Sequence, residues 1–260
     1  MGVTVLDKME TKKRTSQIMT SASLLAVFAH PDDETFRCGG TLALLAQRGV
    51  RVQVLTATRG QAGSCGNPPL CAPEELPAVR ENELHCACAA LGIQPPILLD
   101  HQDGQLSEAD PERIVSEILA VVREVNPQMI LTYGPDGVSG HPDHIAIGRF
   151  TTEVFHRALG VVALHTIAVP YSLANELGMT QIHAVPDDAI TLTVDVSTVW
   201  DAKMAAIHCH QTQLGESPIL RASPEKQHLF LGTEHFQTAL FRPDLLVKSK
   251  QSNSQTLMSF

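Results

Sequence analysis

Two short stretches of this 260-residue chain collect side chains of the kind that hold metal ions and move protons. The first is His30-Pro31-Asp32-Asp33-Glu34, an imidazole followed by three carboxylates. The second is His141-Pro142-Asp143-His144. A catalytic zinc ion takes about three nitrogen or oxygen ligands and leaves one position open for water. His30, Asp33 and His144 make up such a set. Asp32, beside a ligand in sequence, remains free to act as general base. His141, one helical turn before His144, is placed to stabilise an oxyanion as an imidazolium or to give a proton to a departing group. Asp143 is the expected partner that orients His141. A metal held in this way lowers the pKa of its water towards ~7 and polarises a carbonyl, so the expected chemistry is hydrolysis at neutral pH.

These residues are useful only if the fold brings them together. The apolar run over 23–28 reads as a buried strand, and a helix is expected from 39 to 47, stopped by Gly49. Further strands are expected over 51–56, 96–99 and 129–133. Between them lie helices from about 74–77 to 91 and from 111 to 125. The latter has Asp110 as cap, Pro111 at its first position and an apolar stripe from Ile114 to Val125. A helix from 141 to about 159 follows the fourth strand. Strand and helix alternate, which predicts an α/β fold: a Rossmann-like, doubly wound, mostly parallel sheet with helices on both faces. In such sheets the first and fourth strands meet where the winding reverses, and ligands bind at their carboxyl ends. His30 and His144 leave those two strands. After residue 160 the pattern weakens to strands near 165–169, 190–194 and 234–241 and a helix from about 197 to 208.

Composition narrows the class. With a formal net charge of −9 there is no basic surplus for nucleic acid. No run approaches the ~20 apolar residues of a membrane span. Lys12, Lys13 and Arg14 precede an apolar run, but cleavage near Ala29 would cut into the first cluster, so the expected location is the cytoplasm. Residues 1–22 read as a flexible leader, 23–247 as one catalytic domain and 248–260 as a flexible tail. The six cysteines are too few for a disulfide scaffold. Cys86 and Cys88 read as ordinary helix residues, and Cys65 and Cys71, in one Gly/Pro-rich loop, could bridge. That loop, from Gly60 to Pro73, is the expected carrier of substrate specificity.

The motifs Ala29-His30-Pro31-Asp32-Asp33-Glu34, Gly39-Gly40-Thr41-Leu42, Ala57-Thr58-Arg59-Gly60, Arg80-Glu81-Asn82-Glu83-Leu84 and Gly140-His141-Pro142-Asp143-His144 resemble the PIG-L/LmbE-type zinc-dependent deacetylases. The resemblance covers most of residues 23 to 150. It implies removal of acetyl from N-acetylglucosamine-type amino sugars or small glycoconjugates, with Zn2+ or another divalent ion such as Fe2+. It assigns the metal to His30, Asp33 and His144, the base to Asp32 and the oxyanion to His141. It also implies Arg80 as a substrate contact and Asp103 as a contact to a sugar hydroxyl. Arg59 and Arg80 stand equally as substrate contacts or as ion-pair partners. Looser matches lie at Lys203 to Gln213, where His210 could approach the pocket, and at Glu234-His235-Phe236. Similar proteins form trimers and larger rings, so a homo-oligomer is compatible with the resemblance.

Two other readings fit the clusters. A phosphoesterase could use the same ligand types but commonly needs two metals. A sugar-binding module without catalysis would have no use for a free carboxylate at Asp32. Helix-dipole preference alone explains acids at 32–34 but not the His-Pro before them.

Overall fold

The apolar run becomes β1 (Ser23–Phe28), buried along its whole length because helices cover both of its faces. The other strands are β2 (Arg51–Thr58), β3 (Ile97–His101), β4 (Met129–Tyr133), β5 (Ala163–Ala168), β6 (Leu192–Asp195) and β7 (Thr233–Phe241). They form one seven-stranded sheet in the order β3-β2-β1-β4-β5-β7-β6. β1 to β5 pair in parallel, and β7 runs antiparallel between β5 and β6. The computed structural model describes residues 22–245. Residues 1–21 and 246–260, which take in most of the expected leader over 1–22 and all of the expected tail over 248–260, lie outside the described residues.

The helices are α1 (Asp33–Phe36), α2 (Gly39–Gln47), α3 (Leu76–Ala90), α4 (Pro111–Val125), α5 (Pro142–Arg157), α6 (Tyr171–Leu177), α7 (Trp200–Cys209) and α8 (Pro224–Leu231). In α4 the side chain of Asp110 accepts the N–H of Glu112, Pro111 opens the helix and Asn126 closes it in a left-handed conformation. Its buried stripe includes Ile114, Ile118, Val122 and Val125. The start of α2 is held from the far end of the chain. The Glu234 carboxylate accepts the N–H groups of Gly40 and Thr41 at 2.9 and 2.7 Å, and Lys203 Nζ pairs with it at 2.7 Å. An anion at a helix N-terminus satisfies amides that have no partner within the helix.

The winding reverses between β1 and β4, which are hydrogen-bonded neighbours. Their carboxyl ends open into one crevice, and the two clusters follow them there. The segment after residue 160 was the least legible. α6 and α8, of seven and eight residues, carry no long apolar stripe and were not expected from periodicity. With α7 they cover a second, smaller apolar cluster that includes Leu173, Ile207, Ile219 and Phe230.

Two cysteine readings change. Cys86 is not an ordinary helix residue: it pairs with Cys209, tying α3 to the end of α7 across 123 residues of sequence. No spacing rule reaches that far. Cys65 and Cys71 are both free. Closing so long a loop restricts the unfolded chain, an effect typically worth ~2–4 kcal/mol. Cys86→Ser should therefore unfold at lower urea than the oxidised wild type. Reductant should lower the wild-type midpoint to the same value and leave the variant unmoved. Equal midpoints throughout would show that the bridge contributes nothing.

Candidate metal centre and active site

The chain leaves β1 through Ala29, His30 and Pro31 and turns sharply at Asp32, whose φ is 106°. This is left-handed backbone that a non-glycine residue adopts at a cost of ~1–3 kcal/mol. Three contacts hold it. The Asp32 N–H donates to Glu34 Oε2 at 3.0 Å, and its carbonyl accepts from the Thr35 N–H and hydroxyl at 3.0 and 2.8 Å. The turn lets α1 begin at Asp33 and aims neighbouring carboxylates apart.

Asp33 is the hub. Its Oδ2 accepts the N–H groups of Ala29 and His30 at 3.2 and 2.9 Å, and its Oδ1 accepts the Tyr133 hydroxyl at 2.7 Å. His144 Nε2 stands 3.2 Å from Oδ1, and His30 Nδ1 stands 3.7 Å from Oδ2. Burial alone would raise its pKa, but the charge and hydrogen bond of His144, then His30, hold the carboxyl well below the usual range. His144 lies flat on the Tyr133 ring, with centroids 4.1 Å apart. Its Nδ1 faces Gly137 O and Ser139 Oγ, both at 3.2 Å, which leaves Nε2 directed at Asp33. Tyr133 looked like no more than a strand end in the sequence, because a contact made across the crevice leaves no local pattern.

Behind His30 sits a second carboxylate pair. His30 Nε2 lies 3.0 Å from Asp103 Oδ1 and 3.2 Å from Asp143 Oδ2. Asp143, fully buried, also accepts the N–H groups of Gly104 and Leu106, and Asp103 accepts that of Ala62. These acceptors bind the ring by its outer nitrogen and leave Nδ1 for the crevice, as carboxylates behind metal-bound histidines do. Burial opposes the charge on His30, yet Asp103, Asp143 and Asp33 push its pKa up to about 10. Metal uptake must displace that proton, so it weakens in acid.

One expectation is corrected here. The Asp143 side chain orients His30, not His141; only its backbone N–H reaches His141, donating to Nδ1 at 3.2 Å. Asp103 stands with it behind His30, its Oδ1 on His30 Nε2 and its Oδ2 accepting the Ala62 N–H. His141 Nδ1, as acceptor, caps α5 and leaves Nε2 to carry the proton. Burial, then the charges of His30 and His144, lower the His141 pKa. His30, His141 and His144 present ring nitrogens within 4.8 Å of one another.

Arg80 is buried and projects into the protein, not into the pocket. It donates to Gly60 O at 2.8 Å, to Pro31 O and to Asp32 Oδ2 at 3.2 Å. Gly60 is required there: its φ is +67°, and a Cβ would fall 2.2 Å from Arg80 Nη1. Arg59 pairs with Glu81 and with Asp100, in a partly exposed ion pair that lines neither cavity described below. Both arginines thus take the ion-pair alternative. The loose tail matches acquire roles as props. His210 Nε2 meets Glu34 Oε1 at 2.6 Å, and Glu83 accepts the Thr212 N–H and hydroxyl at 2.8 and 2.7 Å. Asp32, braced by Glu34 and Arg80, keeps its carboxyl at the pocket. Burial pushes its pKa up to about 6, with Arg80 pulling down and Asp33 pushing up.

The crevice is a cavity of about 160 Å³ whose lining includes Asp32, Asp33, Tyr133, Ser139 and His144. Its donor set of two imidazole nitrogens and a carboxylate, each fixed from behind, suits zinc. The His30/Asp103/Asp143 group is also close enough to hold an ion. It shares its only imidazole with the first set, and its carboxylates hold that ring from behind, so it fits a supporting role.

The described residues match known proteins at both levels. The PIG-L family model, GlcNAc-PI de-N-acetylase, matches residues 25–155. A Rhodococcus opacus 1D-myo-inositol 2-acetamido-2-deoxy-alpha-D-glucopyranoside deacetylase is 33% identical, over 77% of this chain and 84% of its own. A probable N-acetyl-alpha-D-glucosaminyl L-malate deacetylase 2 from Bacillus cereus is 34% identical, over 73% of this chain and 83% of its own. Among solved structures, N,N'-diacetylchitobiose deacetylase from Pyrococcus horikoshii superposes with a TM-score of 0.63 at 17% identity, covering 95% of this chain and 96% of that one. GalB, a 4-carboxy-2-hydroxymuconate hydratase from Pseudomonas putida, gives 0.64 at 21% identity, covering 85% and 97%. One fold therefore carries different chemistries, and the site must decide between them. With its motif-bearing half matched from β1 into α5 and its relatives aligned over most of their length, the chain belongs to the PIG-L family.

Proposed function

We propose that this chain is a zinc-dependent N-deacetylase that releases acetate from an N-acetylglucosamine-type amino sugar or small glycoconjugate. One observation carries the reading. Asp33 stands between His30 Nδ1 and His144 Nε2, while the adjacent Asp32 is turned away from them and left at the pocket by its left-handed backbone. His30, Asp33 and His144 would hold the ion. Bound there, it would supply Lewis acidity, favouring loss of a proton from water and polarising the acetamide carbonyl.

Asp32 takes the proton of the attacking water, and Arg80 and Glu34 fix where that carboxylate stands. His141 Nε2–H donates to the oxygen of the acetamide as charge develops on it. The carbon–nitrogen bond then breaks, and the amine nitrogen needs a proton. A neutral imidazole is a poor acid at its remaining N–H, whereas Asp32 holds the proton it has just accepted. Asp32 therefore serves as base and then as acid, leaving acetate and a free amine. A two-metal phosphoesterase is disfavoured because the second ligand group has no imidazole of its own and shares His30 with the first.

No helix of the described residues is long and apolar enough to cross a membrane. A cytoplasmic setting belongs to the same proposal.

The test is acetate release from N-acetylglucosaminyl inositol and related glycosides, with protein loaded separately with zinc or Fe2+. Ionised Asp32 is required, so the rate should fall as pH is lowered through its pKa. The limb should lie at about pH 6 or below, since a bound cation favours the carboxylate. No acetate from any N-acetylglucosaminide, alongside turnover of phosphate esters, would overturn the proposal.

A further inference from the structure

We infer that the substrate of this chain carries an apolar aglycone, an alkyl or aryl group, on its N-acetylglucosaminyl unit. The inference rests on the deacetylase reading for the sugar but not for the aglycone. The catalytic crevice opens into a second, larger cavity of about 670 Å³, and the two share Asp32, Phe36, Arg37 and Ser139 in their walls. A sugar whose acetamide lies at Asp32 must extend its remaining groups into this space. A volume of this size is typical of a pocket built to enclose a small molecule.

The walls are mostly apolar. Phe36, Leu177, Met179, Ile182, Ile219 and Phe230 line the cavity, and all six belong to or pack against the smaller apolar cluster. Leu177, Met179 and Ile182 are only partly buried. They leave apolar surface facing a space that nothing in the described chain fills.

The charged groups do not offset this. The Arg37 guanidinium is spent inside the protein, donating to the carbonyls of Phe230 and Thr233, meeting His235 Nδ1 and lying 4.4 Å over the Phe230 ring. Gln213 Nε2 donates to Ser64 O and Thr212 Oγ1. Lys226 is exposed at the cavity. Thr180, Gln181 and Ser217 also line the cavity, but hydrocarbon makes up most of its wall, so an apolar group gains more there than a polyol such as inositol or a dicarboxylate such as malate.

Five of the six apolar walls lie beyond residue 155, outside the stretch matched by the family model. The metal and proton-transfer residues lie within it. Aglycone choice is thus written by α6, α8 and the segments beside them. No residue of the 60–73 loop, the expected carrier of specificity, lines either cavity.

The experiment compares methyl, propyl and hexyl 2-acetamido-2-deoxy-α-D-glucopyranosides with the inositol glycoside as substrates of the zinc-loaded enzyme. Each buried methylene is worth up to about fourfold. The hexyl glycoside should exceed the methyl glycoside in kcat/KM by at least about tenfold, allowing for partial burial. Met179→Gln should shrink the hexyl-to-methyl ratio. Calorimetry on metal-free protein supplies a readout independent of turnover: hexyl glycoside should bind tighter than methyl, with a negative heat-capacity change.

Equal kcat/KM across the alkyl series, or a clear lead for the inositol glycoside, would overturn the aglycone inference while leaving the deacetylase standing. No turnover of any glycoside would sink the deacetylase, and the calorimetric comparison would then decide the cavity's preference alone. Equal binding of hexyl and methyl glycosides there overturns the inference.

Discussion

Asp32→Asn should keep its metal and lose turnover by a factor of about 10² to 10⁴, the range that a positioned proton carrier contributes. Asparagine tolerates left-handed backbone, so the Asp32 N–H can still reach Glu34 Oε2, and Arg80 keeps an oxygen to bind. What disappears is the group that accepts a proton and returns it. Because Asp32 is not one of the residues placed around the ion, metal content by elemental analysis should equal that of the wild type. KM should move far less than kcat, and the acid limb of the rate should vanish from whatever activity remains. Turnover within a few-fold of wild type would remove Asp32 from the mechanism and leave His141 as the only nearby proton carrier.

Asp33→Ala should fail differently, by losing the metal. The hub carboxylate faces both imidazoles, and its removal leaves two neutral ligands that cannot match the ion's charge. About one zinc per chain should fall to a trace after dialysis, with activity lost in proportion. The metal-free protein should suffer as well. Alanine strands the Tyr133 hydroxyl and the Ala29 and His30 amides, and each buried donor left unpaired costs ~1–3 kcal/mol. His144→Ala separates the two effects, since its Nδ1 faces a solvent-side loop at Gly137 and Ser139. It should lose metal comparably while the metal-free stability falls less. Undiminished zinc in both variants would overturn the ligand assignment.

The half of the chain that carries the clusters could be read almost element by element. β1 and β4 are uninterrupted apolar runs, α4 is bracketed by Asp110-Pro111 and Asn126, and Gly49 stops the turn after α2. From those alone the neighbouring of β1 and β4 follows, and with it the meeting of His30 and His144. The supports were not readable. Asp143 looked like a partner for His141, two residues away, because sequence displays near neighbours. The folded chain gives its side chain to His30, 113 residues distant. His210 on Glu34, Glu83 on Thr212 and Cys86 with Cys209 are likewise contacts between distant segments, each formed by a single pair of side chains or a side chain and one residue's polar atoms, with no periodicity to announce it. The late helices α6 and α8 escaped for another reason: at seven and eight residues they are too short for a helical repeat to stand out.

The left-handed turn at Asp32 sets folding and turnover against each other at a single codon. Glycine would relax the backbone there, and asparagine would remove a carboxylate whose ionisation burial opposes, as its raised pKa records. Asparagine, which keeps an oxygen for Arg80, should let the chain fold more readily than the natural residue does. A library of this protein selected only for heat resistance or expression would therefore drift toward an emptied active site. Engineering for robustness has to screen for acetate release from the first round, or lock position 32 before diversifying anything else.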